Sequence, residues 1–384
     1  MRSLNLLLFS SMSLAARPFL NEPDTGIEEA LPLKNGSLPP LDRLLGLPDF
    51  DYVARHVMGP SEYGYVRHGA GSEGSYRNNL EAFSSFRFRP RVMVDITDID
   101  ASLNTSILGR EFAAPFFISP FASAGLANEV AERGLVEAAG NHDLLYIASQ
   151  TSSLSMEEIA ASKRNASQVI WQQVSLSSLD SDSPRKLFKQ IEKAGMKAIV
   201  LTVDSAGDRT GYRPRRLLPD TNISRDPRYT FMTWKYYKQL QKMTRLPIIP
   251  KGIQTVEDAR KAIQIGAPAI FLSNHGARSV DGSPSPVEIA WEIYQKDPNI
   301  FKEIEVYADG GVRYGTDVLK LLALGVRAVG LGRPFFYANL YGTEGVDKAM
   351  TLLTREITSA GANIGLSDIQ DIDPSYLTSN QWGI

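Results

Sequence analysis

Residues 246–274 read LPIIPKGIQTVEDARKAIQIGAPAIFLSN. The apolar run 246–252 gives way to a helix-like stretch at 256–265, and a second apolar run follows at 269–274. Neither run alternates with polar residues, so each predicts a strand buried on both faces, as in a parallel sheet. The same strand-then-helix unit recurs on both sides. Strand-like runs fall at 115–120, 144–149, 168–175, 197–204, 305–310 and 328–333. Helix-like stretches fall at 129–141, 156–163, 184–194, 234–243, 286–295 and 316–323, with terminal helix beyond. Eight such units over about 250 residues predict an α/β fold of the (β/α)8 TIM-barrel type. A doubly wound sheet would carry a glycine fingerprint after its first strand, whereas the turn after 115–120 offers only Gly125.

The chain ahead of the repeat predicts an N-terminal arm and short capping elements. Pro18, Pro23, Pro32, Pro39, Pro40 and Pro48 make 17–48 an irregular arm. A short helix is expected at 49–58, a glycine-rich polar loop at 64–71, and a helix with short strands covering one end of the body at 76–112. Residues 1–16 resemble a short signal peptide, but Ser10, Ser11 and Ser13 interrupt the apolar core, which favours an irregular leader. The expected organisation is a leader at 1–40 and one barrel domain at 41–384, cytoplasmic, with a loose end after Pro374.

Composition narrows the function classes. The chain has 384 residues, 22% of them charged, and a formal net charge of −2. That balance gives no argument for a nucleic-acid partner. No apolar run is long enough to predict a membrane span. Without cysteine, disulfides, thiolate metal sites and cysteine nucleophiles are excluded. The four histidines, His56, His68, His142 and His275, form no helical pair, so no metal is expected.

In a barrel of this kind the active site lies at the C-terminal ends of the strands. Strand six ends in SNHGAR (273–278), which places His275 three positions before Arg278. Histidine accepts protons near neutrality, and arginine's planar fork matches a carboxylate or phosphate. The pair suggests an acid substrate that loses a proton. Strands seven and eight end in DGGVR (309–313) and GLGR (330–333). Loops after these strands form the usual phosphate site of such barrels. Glycines there let backbone N–H groups approach an anion, and Arg313 and Arg333 add charge. Lys251, closing strand five, suits a Schiff base, a phosphate or an electron-rich ring. Asp309 is the expected partner of His275, because the ends of strands six and seven are neighbours. The other three histidines read as structural or surface residues.

SNHGAR and DGGVRYGTDV (309–318), with LGRP (331–334), LPIIPKG (246–252), LTVD (201–204) and FRPRVMVDITDID (88–100), resemble the FMN-dependent α-hydroxy-acid oxidase and dehydrogenase family. The likeness runs from about residue 65 to 342. It implies a flavoprotein oxidoreductase with FMN at the barrel mouth, converting an L-2-hydroxy acid to the 2-oxo acid. By resemblance His275 is the base and Asp309 its partner. Arg278 and Tyr65 hold the substrate carboxylate, and Lys251 sits beside flavin N1 and O2. Ala122, Ser149, Gln172, Thr202 and Ser273 contact the flavin ring, while Gly310, Gly311, Arg313, Gly332 and Arg333 form the phosphate site. Alanine at 122 leans toward oxygen as electron acceptor, with another acceptor as the alternative. The family's habit of assembly implies a homo-oligomer, a tetramer by resemblance. An FMN barrel with other redox or isomerase chemistry, or one without turnover, are the competing readings.

Three positions depart from the family pattern. The family usually carries a substrate-binding tyrosine two residues after its strand-three glutamine, whereas Gln172 is followed by Gln173 and Val174. Valine at that point removes a hydrogen bond and widens the pocket. The loop after strand four, 205–233, is short and offers no colinear second arginine; Arg209 is the candidate and Arg213 the alternate. A histidine-containing turn after the first strand is replaced by Gly125-Leu126-Ala127-Asn128. A bulkier substrate than glycolate or lactate is the expectation.

Overall fold

The computed structural model describes residues 25–31, 33, 36–176, 182–207, 209, 211–217 and 232–379. The signal-like stretch 1–16 of the expected leader lies outside them. Eight strands close into a barrel: β1 (Phe116–Ile118), β2 (Tyr146–Ala148), β3 (Ile170–Val174), β4 (Ile199–Thr202), β5 (Ile248–Ile253), β6 (Ala269–Leu272), β7 (Glu305–Asp309) and β8 (Ala328–Leu331). Each runs parallel to its sequence neighbours, and β8 returns to β1 through Val329 opposite Phe116. The strands are shorter than the apolar runs predict because the flanking residues turn into loops.

Local chemistry sets where the helices begin and stop. Between β5 and β6, Thr255 caps the helix Val256–Gln264 by accepting the Asp258 N–H at 3.1 Å. Gly266, at φ 74, ends it in the left-handed conformation that favours glycine. Ser285 and Glu288 form a capping box that opens Pro286–Lys296 after β6.

Side chains alternate along each strand, so the barrel has two cores. Phe117, Ile147, Trp171, Val200, Ile249, Phe271 and Tyr307 point inward and pack as one cluster. Phe117 and Phe271 meet edge to face at 5.5 Å. Phe116, Ile118, Ile170, Val174 and Leu201 belong instead to the layer packed with the surrounding helices. The hairpin Thr105–Ile107/Arg110–Phe112 adds Ile107 and Phe112 to the inner cluster and so plugs one end. The other end is left for chemistry.

Two expectations change. The predicted glycine-rich loop at 64–71 begins inside a helix, Pro60–Arg67, because Gly64 sits where a Cβ would meet Leu217. Tyr65 is therefore presented from a helix. The predicted loose end after Pro374 includes a strand, Leu377–Ser379, antiparallel to Phe86–Phe88. The arm is irregular yet attached: the Tyr52 hydroxyl donates to Leu31 O at 3.1 Å and the Tyr341 hydroxyl to Pro39 O at 2.9 Å. Among the described residues no helix is long and apolar enough to cross a membrane.

Candidate active site

The inward positions change character at the open end. Two residues beyond each inner apolar residue stand Ser119, Ser149, Gln173, Thr202, Lys251, Ser273, Asp309 and Gly330, one from each strand. A polar layer thus sits on an apolar plug, and most of it lines a cavity of about 360 Å³. Further out the cavity meets Tyr65, Phe121, Ala122, Ser175, Arg209, His275, Arg278, Gly311, Arg313, Gly332 and Arg333.

The layer is hydrogen-bonded across strands. Lys251 Nζ donates to Ser273 Oγ at 2.7 Å and lies 3.0 Å from Asp309 Oδ2. Ser273 Oγ donates to Asp309 Oδ1 at 2.6 Å and Ser119 Oγ to Oδ2 at 2.8 Å. The Gln173 amide oxygen accepts from Ser149 Oγ and Gln150 N, both at 3.2 Å. Its nitrogen donates to Thr202 Oγ1 at 2.9 Å and Ser175 Oγ at 3.1 Å.

Asp309 is thereby committed to Lys251 and the two serines, and His275 is served by Asp204, not by Asp309 as expected. His275 Nδ1 lies 2.8 Å from Asp204 Oδ1. A carboxylate only accepts, so Nδ1 carries the proton and Nε2 is the basic nitrogen. The cause is backbone geometry. His275, Gly276 and Ala277 take φ 60, 62 and 61, a left-handed run that turns the ring from β7 toward the end of β4. Ser273 Oγ and Asn274 Oδ1 hold that run by accepting His275 N at 3.0 Å and Ala277 N at 2.9 Å. Burial pushes the imidazole down to about 4; Asp204 opposes that shift and Arg209 reinforces it.

Strand parity corrects two more expectations. Gln172 and Val174 face away from the cavity. The Gln172 amide donates to Gln173 O at 2.9 Å, and Val174 is wholly buried against the helical layer. Gln173 is the cavity glutamine, so the position two residues on is Ser175, which is exposed at the cavity wall. Inward-facing Trp171 was the available signal, since residues of one parity share a face.

The two arginine candidates are separated. Arg209 lines the cavity. Arg213 grips Glu73 through Nε at 2.9 Å and Nη2 at 2.6 Å. At the far end, Gly311 has φ 83, and a Cβ there would lie 1.9 Å from Asn79 O. Arg333 gives three of its donors to Val66 O, His68 O and Gly276 O at 2.9, 2.8 and 3.0 Å, which leaves two of a guanidinium's five.

The electrostatics are one-sided. Among the described residues Lys251, Arg209, Arg278, Arg313 and Arg333 line the cavity with one carboxylate, Asp309. Burial lowers the pKa values of Arg209, Arg278 and Arg333, with Arg209 adding to the effect on Arg278. Buried His68, beside Arg278, is held down at about 3. Cations crowded and desolvated in this way favour an anionic occupant.

A family model described as FMN-dependent dehydrogenase matches residues 54–228 and 221–379. The chain belongs to this family, whose cofactor is FMN. It is 36% identical over 370 residues to "L-lactate dehydrogenase (cytochrome)" of Saccharomyces cerevisiae, covering 88% of this chain and 61% of that one. The chain thus spans about three fifths of the length of the first curated relatives it matches. It is 33% identical to human "2-Hydroxyacid oxidase 1", covering 88% of this chain and 98% of that one. A solved mutant of flavocytochrome b2 with benzoylformate superposes with a TM-score of 0.83 at 35% identity, covering 89% and 88% of the two chains. Gly-rich turns, two free guanidinium donors on Arg333, and buried Lys251 suit the phosphate and electron-rich ring of FMN.

The four histidines make a direct test practical. In nitrogen NMR of the protein stripped of FMN and substrate, His275 should titrate near pH 4 and His68 near pH 3. Asp204→Asn removes the group that raises His275 and should move its midpoint lower still. A His275 midpoint at or above 6.5 would overturn this description.

Proposed function

We propose that the protein oxidises an L-2-hydroxy acid to the 2-oxo acid. The observation that carries this reading is the cavity in which a neutral, carboxylate-backed His275 stands among five buried or half-buried cations that share, among the described residues, one lining carboxylate. FMN supplies the two-electron acceptor. Gly310, Gly311, Arg313, Gly332 and Arg333 would hold its phosphate end, and Ala122, Ser149, Gln173, Thr202, Lys251 and Ser273 its ring. Arg278, Arg209 and Tyr65 bind the substrate carboxylate. His275 Nε2 takes the proton from the substrate carbon or hydroxyl. Asp204 then stabilises the imidazolium, which its position on Nδ1 suits it to do. Asp309 acts through Lys251 and leaves the base free.

Purified protein should be yellow and should bleach anaerobically with a 2-hydroxy acid. His275→Gln should keep the flavin and lose bleaching by at least about a hundredfold, the usual scale of a general base. Retained bleaching in that variant would remove His275 from the chemistry. Oxygen is the proposed acceptor, so one equivalent of hydrogen peroxide per 2-oxo acid is expected in air; absence of peroxide would point to another acceptor.

The substrate is proposed to be bulkier than lactate. Ser175 stands where the spacing from the cavity glutamine calls for tyrosine, and its small side chain leaves room at the cavity wall. Ser175→Tyr should shift kcat/KM about tenfold toward lactate over mandelate, the scale of a reshaped apolar pocket. An unchanged ratio would place the specificity elsewhere.

A homo-oligomer, specifically a tetramer, is the proposed assembly. Val92 is 84% exposed and Met93 is fully exposed, an apolar pair that a second copy would cover. Light scattering should give a mass near four times 42.3 kDa, and a monomer mass would refute this assembly.

A further inference from the structure

Ser205 follows Asp204 directly, and its hydroxyl oxygen sits among four functional groups. It accepts from Arg209 Nη2 at 2.7 Å. It stands 3.4 Å from His275 Nδ1, 3.4 Å from Asp204 Oδ1 and 3.4 Å from Ser279 Oγ. Asp204 Oδ2 is buried and has no hydrogen-bond partner among the described residues. An aspartate with an unfilled oxygen near a half-buried guanidinium is an arrangement that tends to close into a direct ion pair. That closure would draw Arg209 out of the cavity and make it share the carboxylate that His275 uses.

We infer that Ser205 is a positioning residue that holds Arg209 on the cavity side of the His275–Asp204 pair, keeping the guanidinium for an incoming carboxylate. The inference rests on the proposed hydroxy-acid reading and adds the device that keeps its second cation in place. Ser205 takes one Arg209 nitrogen and leaves the remaining guanidinium donors for the ligand. It is short enough to stand between two groups of opposite charge without reaching the substrate itself. Because Arg213 is gripped by Glu73, it does not stand ready to replace Arg209.

The test is oxalate binding to FMN-supplemented full-length protein by calorimetry, which needs no turnover and no flavin signal. Ser205→Ala should weaken oxalate about tenfold, the scale of one charge-assisted hydrogen bond misplaced. Ser205→Thr, which keeps the hydroxyl, should restore affinity to within about twofold. Arg209→Leu should weaken oxalate comparably, and adding Ser205→Ala to it should cost nothing more, because the serine acts through that arginine. Wild-type affinity in Ser205→Ala, full loss on top of Arg209→Leu, no rescue by threonine, or no oxalate binding by the wild type would each overturn the assignment. If the oxalate pattern holds while no 2-hydroxy acid bleaches the flavin, the activity reading falls and the role of Ser205 stands.

Discussion

Lys251 and Asp309 meet at 3.0 Å in the middle of the barrel mouth, both nearly wholly buried. Two charges taken out of water cost several kcal/mol each unless their remaining bonds are filled. Ser273 and Ser119 fill them, and each comes from a different strand. β1, β5, β6 and β7 are therefore tied at the level where the apolar plug ends. The tie has a consequence for the base. With both Asp309 oxygens engaged, that carboxylate has no lone pair aimed at His275, and the imidazole takes its partner from beyond β4.

That substitution of partners depends on a backbone that a strand end does not ordinarily adopt. Left-handed φ values at His275 and Ala277 are uncommon for residues other than glycine, and each costs of order 1–3 kcal/mol. The surroundings hold them in place. Asn274 and Asn79 exchange amide hydrogen bonds at 2.7 and 2.9 Å, and Ala70 N donates to Ala277 O at 2.8 Å. Arg333 adds bonds from β8 to Gly276 O and to the carbonyls of Val66 and His68. The segment around residues 66–79 thus locks the turn that aims the His275 ring and also delivers Tyr65 to the cavity.

The barrel was legible because buried parallel strands leave uninterrupted apolar runs, and eight of them alternate with helices. The strand-end residues were legible for the same reason, since the fold dictates which end carries chemistry. What the sequence concealed was parity and side-chain direction. Gln172 and Gln173 are adjacent and chemically identical, and only the inward Trp171 says which of them faces the cavity. A slip of one residue exchanged Ser175 for Val174 at the wall and left the expectation of a wider pocket standing on the wrong side chain. Asp204 was visible in LTVD, but strand order favoured Asp309, and a single glycine at 276 does not announce that His275 and Ala277 on either side of it are left-handed as well. Tyr65 was placed in a loop because Gly64 and Gly69 flank it, whereas Gly64 serves close helix packing.

The choice between Arg209 and Arg213 shows how a charge outside the cavity shapes what is inside it. Glu73 takes φ 61 at the start of the helix Gly74–Glu81 and binds Arg213 and Arg67. Burial alone would raise its carboxyl, but Arg213, Arg67 and the Gly69 N–H outweigh burial and hold it at about 2. A carboxylate depressed in this way contributes stability above its unfolded pKa of about 4.5, and loses it as pH falls through about 2. At neutral pH the grip is therefore at full strength, and Arg213 stays outside. Were Glu73 neutral, Arg213 would lose that carboxylate beside a cavity already crowded with cations, and its entry would repel Arg209 and Arg278. Glu73 at the rim holds Arg213 and Ser205 at the base holds Arg209, so the two cations are kept apart and one of them faces the cavity.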